Sequence, residues 1–408
     1  MVNNSDSRLR VLVLSRNYPN SVTPLLGVWA EGLMSRVARI CSVTVVSPVP
    51  YCPPLPGFPA YTRFRGVKSV EDLNGIRVYH PRFMVGPGYT LHNLEASAYY
   101  WGVRRLVDVL WEKDGFDIIH GLFGYPDGVV AARFGERFDV PVIITDHASW
   151  RPWMDRYPRV RKQAVAASRR STFHLAPSSF AIKSIESFTG PGKRFRIFPN
   201  GVDPDLFSPL SDRPATNTKQ ILYVGIMRHV KGVDILLTAM RKIVDQHPEL
   251  NLVLVGGGFY SSYSVYENQV RSMAVELGLE NNVRFVGMRS PEEVAQFMRE
   301  SAVLVVPSRT ETFGSVLIEA LASGIPVVST RCGGPEDFVT EKLGALVPKA
   351  DPVALAQAIL NVIKNRERFE PSRLRKFAID NYSWDQLAKQ KSEIYAEALG
   401  LFRQRKAS

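Results

Sequence analysis

Two doubly wound, parallel-sheet α/β domains in tandem are what this 408-residue sequence predicts, on three observations. Short runs of Val, Leu and Ile ending in turn residues alternate with segments of helical spacing, the pattern of a parallel sheet covered on both faces. The alternation halts mid-chain in a turn-rich, polar stretch and then restarts. The length is that of two ordinary domains of about 200 residues each.

RVLVLSRNYP opens the series with a buried strand over residues 11–15, and a helix follows over about 28–38. Then come SVTVVSP, a helix near 95–112, FDIIHGL, a helix near 127–138, VPVIITDH and STFHLAPS. FPNGVDPDLFSPL and SDRPATNTKQ interrupt the pattern, which places a boundary within 203–219 and gives a first domain of 1–205 and a second of 206–380. QILYVGI, LNLVLVGGG, NVRFVG, SAVLVVPS, IPVVST and GALVP supply the strands of the second domain. WDQLAKQKSEIYAEALGLF is amphipathic, so residues 381–408 are expected to form a helix that packs back on the first domain. Tandem sheets of this kind bind ligands where strand carboxyl ends face each other across a cleft. PVPYCPPLPGFPAYTRFRG, residues 48–66, resists the pattern. Proline at this density excludes regular structure and favours an extended path, which reads as a solvated connection or a loop facing a ligand or a membrane.

With 45% hydrophobic and 22% charged residues the chain can bury large cores, so disorder is excluded as its main theme. Cys41, Cys52 and Cys332 are odd in number, with no CxxC pair or neighbouring His cluster, which supports neither a disulfide scaffold nor a structural zinc site. MVNNSDSRLR lacks the basic and apolar regions of a signal peptide, and no stretch approaches the ~18 apolar residues of a membrane span, so a cytoplasmic protein is expected. The net charge of +12 is uneven: residues 1–208 carry 26 Lys/Arg against 17 Asp/Glu, the remainder 25 against 22. A basic first half suits an anionic partner, or a surface kept soluble by charge. No RNP pattern or zinc finger singles out nucleic acid, which is excluded as a partner.

The most specific chemical signal is PSRTETFGSVLIEALASGIPVVSTRCGG. A strand ends at Ser308, a loop holds Glu311, Phe313-Gly314 makes a tight turn, and VLIEALAS forms a helix ending at Gly324. On one continuous helix the eight residues from Glu311 to Glu319 would turn through about 800°, so the two would share a face only loosely. With Glu311 in the loop and Glu319 two turns into the helix, they can hold different parts of one elongated ligand. Free amides at the helix start, around Ser315, offer a site for phosphate or sugar oxygens. Glu319 is suited to accept the two vicinal hydroxyls of a ribose. A carboxylate in so apolar a run also needs a partner.

In these features the chain resembles the retaining glycosyltransferases of family 4, which have the two-Rossmann-domain GT-B fold. The Glu-x7-Glu pattern lies in ETFGSVLIEALASGIPVV, and nearly the whole chain is covered. The resemblance includes PNGVD at 199–203, the G-x6-K-G stretch from Gly225 to Gly232, VGGG at 255–258 and the SW-containing segment beginning at Ser383. It implies transfer of a sugar from a nucleotide-diphosphate sugar to a carbohydrate or lipid-linked acceptor with retention, hexosyltransferase-like and without a bound metal or other cofactor. Polysaccharide or glycolipid synthesis for the cell envelope is the implied setting.

Carried over residue by residue, Glu319 is implied to hold the ribose and Glu311 the hydroxyls of the transferred sugar. The backbone of Phe313, Gly314 and Ser315 should lie along sugar and diphosphate, with Gly256 of the VGGG turn on the donor side. Lys231 matches the lysine that neutralises the diphosphate, and fixed cations with amide dipoles are what a metal-free leaving group requires. Many relatives carry Arg directly after the glycine of this loop, where this chain has Ile226; Arg228 and His229 are the candidates to replace it. In VPVIITDHASW, His147 stands at the position of the family's histidine near the donor sugar. Gly27, just before a helix, resembles the family's glycine loop near the diphosphate. In IIHGLFGYPDG, His120 reads equally as a residue bordering the acceptor and as a satisfied core histidine.

Two other motifs are set aside. Asp203-Pro204-Asp205 spells DxD but lies in the interdomain turn, whereas metal-binding carboxylates should end a strand beside the nucleotide. Gly256-Gly257-Gly258 lacks the GxGxxG spacing and the acidic residue of a nicotinamide site. RPWMDRYPRVRKQAVAASRR sets Arg151, Arg156, Arg159, Arg161, Lys162, Arg169 and Arg170 against Asp155, with Trp150, Trp153 and Tyr157 interleaved. It reads as a solvated face, or as a peripheral contact with an anionic membrane at its inner face. The alternatives to a transferase are a GT-B nucleotide-sugar epimerase and a non-catalytic sugar-nucleotide binding subunit.

Overall fold

The structure, a computed structural model, describes residues 8–24, 26–51, 59–86, 92–150, 153–209, 219–257 and 261–407. It divides into two compact units, Met1–Pro199 with Trp384–Ser408, and Asn200–Ser383.

In the first unit eight strands lie in the order Phe195–Ile197, Phe173–Ala176, Val142–Thr145, Ile118–Gly121, Arg10–Leu14, Ser42–Val46, Ile76–Tyr79, Val70–Leu73. The strand Arg10–Leu14 shows why the sequence reads as a continuous apolar run. Successive side chains point to opposite faces, and both faces are covered. Leu12 and Leu14 enter a core with the helices His92–Asp114, Asp127–Phe138 and Pro158–Arg170. Val11 and Val13 enter another with the helices Val28–Val37 and Trp384–Ala407. That last helix contributes buried Leu387, Ala388, Tyr395 and Ala398, so the end of the chain completes the first unit.

A departure from the parallel order is the antiparallel hairpin Val70–Leu73 and Ile76–Tyr79. Asn74 and Gly75 turn it with φ of 47° and 82°, the left-handed pair that matches the twist of a two-residue hairpin. The segment 48–66 also departs from expectation. Val49–Pro50 pairs with Arg82–Phe83, and Pro59–Thr62 and Arg63–Gly66 are short helical turns. Pro59 opens its turn where no amide hydrogen is needed, and Tyr61, Phe64 and Val67 pack with Val49 in a small core rather than facing solvent. Residues 52–58, with Cys52, lie outside the described residues.

The second unit is a six-stranded parallel sheet in the order Val283–Gly287, Asn251–Val255, Gln220–Val224, Val303–Val306, Val327–Thr330, Gly344–Val347. The boundary falls at Pro199/Asn200 instead of 205/206. The turn after it packs on the second unit: the Val202 amide donates to Tyr382 O at 2.8 Å, and Phe207 enters the second core. No described helix is long and apolar enough to cross a membrane.

Candidate functional site

The polar site of the second unit is built where adjacent strands end. After Val303–Val306 the chain passes through Ser308, Arg309 and Glu311 before the helix Ser315–Ala322. Gly314 starts that helix with φ 92°, and a Cβ there would stand 2.9 Å from Leu317 Cδ1. Glycine is therefore needed for conformation, while the Leu317 side chain could turn aside. Phe313 is buried against Phe338 and Tyr382, with ring centroids 5.4 and 5.9 Å away. The Glu311 amide donates to Cys332 O and its carbonyl accepts from the Gly334 amide, each at 2.9 Å, so its backbone is fixed on both sides.

The strand Gln220–Val224, beside Val303–Val306, leads into the turn His229–Lys231. Lys231 Nζ donates to Glu311 Oε2 at 2.6 Å, and Ser308 Oγ reaches the same oxygen at 3.4 Å. The Lys231 amide donates to Arg228 O at 2.8 Å, and Arg228 is exposed at the head of the turn. At Ile226 the carbonyl accepts from Tyr223 Oη at 3.1 Å. Gly256 closes the neighbouring turn, its amide donating to Gly287 O at 2.9 Å. Gly258 lies outside the described residues.

Glu319 is the fifth residue of the helix and is partly covered. No described residue donates to its carboxylate, so the partner that its apolar neighbours call for is absent from the described protein groups. Burial pushes its carboxyl up to about 7. Ser315 Oγ accepts from Asn200 Nδ2 at 3.2 Å. A helix start with an adjacent ammonium and an unpartnered carboxylate one turn along can receive a ligand that is anionic at one end and hydroxylated at the other.

A clamp not anticipated from the sequence holds this site. Arg309 Nη1 and Nη2 donate to Asp234 Oδ1 and Oδ2 at 2.9 and 2.6 Å, and Nη1 also donates to His229 O at 2.6 Å. Tyr266 Oη donates to Asp234 Oδ1 at 2.7 Å. Against the desolvation that would raise it, these bonds hold the Asp234 carboxyl below the usual carboxylate range. The clamp joins the turn carrying Lys231 to the loop carrying Glu311. The sequence signal was the charge of Arg309 beside Ser308, with Asp234 just after Lys231-Gly232.

In the first unit, Gly27 caps the helix Val28–Val37 with φ 77°, and a Cβ would meet Asn17 O at 2.2 Å. Two residues on, the Trp29 ring lies 3.8 Å from that of His147, so the structure brings the glycine loop and the histidine together. The preceding Asp146 is gripped by the Gly124 amide at 2.8 Å, Trp150 Nε1 at 2.7 Å and His174 Nε2 at 2.8 Å. His120 is fully buried, with ring nitrogens 2.7 Å from Tyr395 Oη and 2.8 Å from Thr145 Oγ1. Of its two readings, the core histidine is the one the structure takes. Asp127 is also buried; its Oδ1 accepts from the Arg16 amide at 3.0 Å, and burial pushes its carboxyl up to about 7.

The aromatics of the basic segment pack against the protein. Trp150 is buried on Asp146, and Trp153, in the short helix Trp153–Arg156, and Tyr157, at the start of Pro158–Arg170, are half-buried against the first core. Arg156, Arg159, Lys162, Arg169 and Arg170 are exposed, and Arg151 lies outside the described residues. Asp203 Oδ1 accepts from the amides of Asp205 and Leu206 at 3.0 and 3.4 Å, capping its own turn.

Residues 32–206 match the family model described as Glycosyltransferase Family 4, and residues 211–380 the model described as Glycosyl transferases group 1. With the two parallel sheets, these matches make the chain a glycosyltransferase of the GT-B fold. It is 29% identical to a glycosyltransferase of Methanocaldococcus jannaschii over 75% of this chain and 84% of the relative. It is 33% identical to the D-inositol 3-phosphate glycosyltransferase of Corynebacterium jeikeium over 52% of this chain, spanning about half (54%) of that relative's length. Among solved structures, sucrose-phosphate synthase from Thermosynechococcus elongatus matches with TM-score 0.77, 22% identity and coverage of 96% of this chain and 100% of that one. The Anabaena protein HepE, solved in complex with UDP, matches with TM-score 0.74, 19% identity and coverage of 95% and 100%. These structural likenesses establish the fold.

Proposed function

We propose that the protein is a retaining, family 4 glycosyltransferase that takes its sugar from a nucleotide-diphosphate sugar. The observation that carries this reading is the arrangement around the helix Ser315–Ala322: a left-handed glycine at its start, the Lys231–Glu311 pair beside it and unpartnered Glu319 within it. The complex of HepE with UDP supports a nucleotide donor.

In this reading Glu319 accepts the ribose hydroxyls, and Glu311 orients the hydroxyls of the transferred sugar. Lys231, Arg228 and the first amides of the helix meet the charge that grows on the diphosphate as it leaves. Gly27 and Gly256 let backbone approach the donor, and His147 contacts the sugar. The acceptor hydroxyl attacks C1 on the face the diphosphate vacates. The new C–O bond forms as the C1–O bond to phosphate breaks, and the acceptor proton passes to a phosphate oxygen. No carboxylate of the protein acts as nucleophile, and positioning with charge stabilisation supplies the rate. The acceptor is a carbohydrate or lipid-linked hydroxyl in polysaccharide or glycolipid synthesis. A peripheral membrane contact rests on the exposed arginines of Pro158–Arg170 alone, and salt-sensitive binding to anionic liposomes tests it.

The test of the donor site is calorimetry with UDP-, GDP- and ADP-sugars on the wild type, Glu319→Ala and Lys231→Ala. Micromolar binding of one donor, weakened by both substitutions, supports the reading. Folded protein that binds none of them overturns it.

A further inference from the structure

The C-terminal helix Trp384–Ala407 places a lysine in the core of the first unit, on the same buried stripe as Leu387, Tyr395 and Ala398. Lys391 is 1% exposed, and no described carboxylate pairs with it. Its Nζ lies 3.6 Å from the Phe198 ring centroid and donates to Thr145 Oγ1 at 3.3 Å. Burial disfavours the ammonium here, so a leucine or methionine would fill this place at lower cost. The lysine must therefore supply something that apolar packing does not, and a hydrogen bond differs from packing in having direction.

Thr145 is the last residue of its strand, two before His147. Its hydroxyl also lies 2.8 Å from His120 Nε2, and His120 Nδ1 lies 2.7 Å from Tyr395 Oη, one turn along the helix from Lys391. One assignment of hydrogens links all four groups: Lys391 donates to Thr145, Thr145 to His120 Nε2, and His120 Nδ1 to Tyr395. It requires a neutral His120, and burial with the nearby Lys391 holds that ring well below its usual range. Asp146 is then fixed by Gly124, Trp150 and His174, and His147 lies against Trp29. Three consecutive residues are held one by one, the first of them from the far end of the chain.

We propose that Lys391 and Tyr395 are positioning residues for His147: the C-terminal helix orients the strand end and so sets where the imidazole stands. The proposal rests on the reading of His147 as a contact to the donor sugar. Full-length Lys391→Met and Tyr395→Phe test it, with His147→Gln to assign the imidazole signals by NMR. In both variants the nuclear Overhauser contact between the His147 and Trp29 rings is expected to weaken. The kcat for transfer from UDP-glucose should fall about tenfold while its KM stays within twofold. An unchanged ring contact and kcat in folded variants overturns the proposal. If Lys391→Met does not fold, Tyr395→Phe, which keeps the ring, carries the test. If the wild type transfers no sugar, the active-site reading fails, and the ring contact alone still decides whether Lys391 and Tyr395 set His147.

Discussion

Lys231 Nζ and Glu311 Oε2 lie 2.6 Å apart across two adjacent strand ends, with side chains 28% and 13% exposed. In the proposed donor site each would meet a charge or a hydroxyl of the donor, which would make the pair both a structural link and a rearrangeable contact. Removing one partner leaves the other half-buried and uncompensated. Lys231→Ala should cost about 1–3 kcal/mol of stability and lower kcat/KM by about 10²–10³. Lys231→Ala/Glu311→Ala should recover part of the stability and none of the activity. Denaturant unfolding and steady-state kinetics on the three proteins check this; recovery of activity in the double variant would count against a diphosphate role for Lys231.

Glu319 makes the site sensitive to pH. Its carboxyl is raised from 4.5 to about 7, so between those values the folded chain holds a proton that the unfolded chain releases. Stability therefore falls as pH rises through this window. Glu319→Gln should remove that slope and be more stable than wild type at pH 8 by about 1–3 kcal/mol. Donor hydroxyls bonded to the carboxylate favour its charged form, so binding near pH 6 should release a proton. Calorimetry in buffers of different ionisation enthalpy measures that release.

The clamp of Arg309 on Asp234 should matter more to turnover than to the fold. Arg309→Met keeps the side-chain length but loses the paired donors and the bond to His229 O. A stability loss of about 1 kcal/mol should accompany a fall in kcat/KM of about 10²-fold, whereas the exposed control Arg373→Met should leave both nearly unchanged; steady-state kinetics and denaturant unfolding check this. Arg309→Lys should restore little, because one ammonium cannot bond both carboxylate oxygens in a fixed plane.

Two glycines with the same φ of 77° differ in ψ, 22° at Gly27 and 159° at Gly190, and in what surrounds them. At Gly190 an added Cβ meets nothing within 4 Å, and Gly190→Ala should cost about 1–3 kcal/mol from its glycine-only backbone conformation alone. At Gly27 the Cβ would meet Asn17 O at 2.2 Å, so Gly27→Ala should cost more than the about 1–2 kcal/mol of its left-handed backbone and displace Trp29 from His147. A Gly27→Ala loss, measured by denaturant unfolding, of no more than about 2 kcal/mol with the Trp29–His147 ring contact kept would contradict the crowding.

Much of the fold was legible because strands buried on both faces must be apolar at every position, as in Arg10–Leu14. The hairpin at Asn74-Gly75 escapes that criterion: Val70–Leu73 is an exposed edge with Glu71 and Asp72 in it, and only its turn residues announce it. In the second unit, Glu311, Gly314 and Glu319 share one short segment, so their order alone suggests a ligand. The bonds of Arg309 to Asp234 depend on which strands become neighbours, and composition carries no record of that. Trp150, Trp153 and Tyr157 are hard to place for a related reason, since the surrounding arginines look like a surface while the aromatic rings pack on the first core. Lys391 looks like one more polar residue of an amphipathic helix until its neighbours are known.

The first unit is discontinuous in the chain, whereas the second occupies one stretch, Asn200–Ser383. Synthesis therefore completes the second unit while the first still lacks Leu387, Ala388, Tyr395 and Ala398 from its core. The half that leaves the ribosome first is the half that finishes last, and a chain cut short by a single helix would be released with one face of its earliest-made sheet covered by Val28–Val37 but not by its second helix.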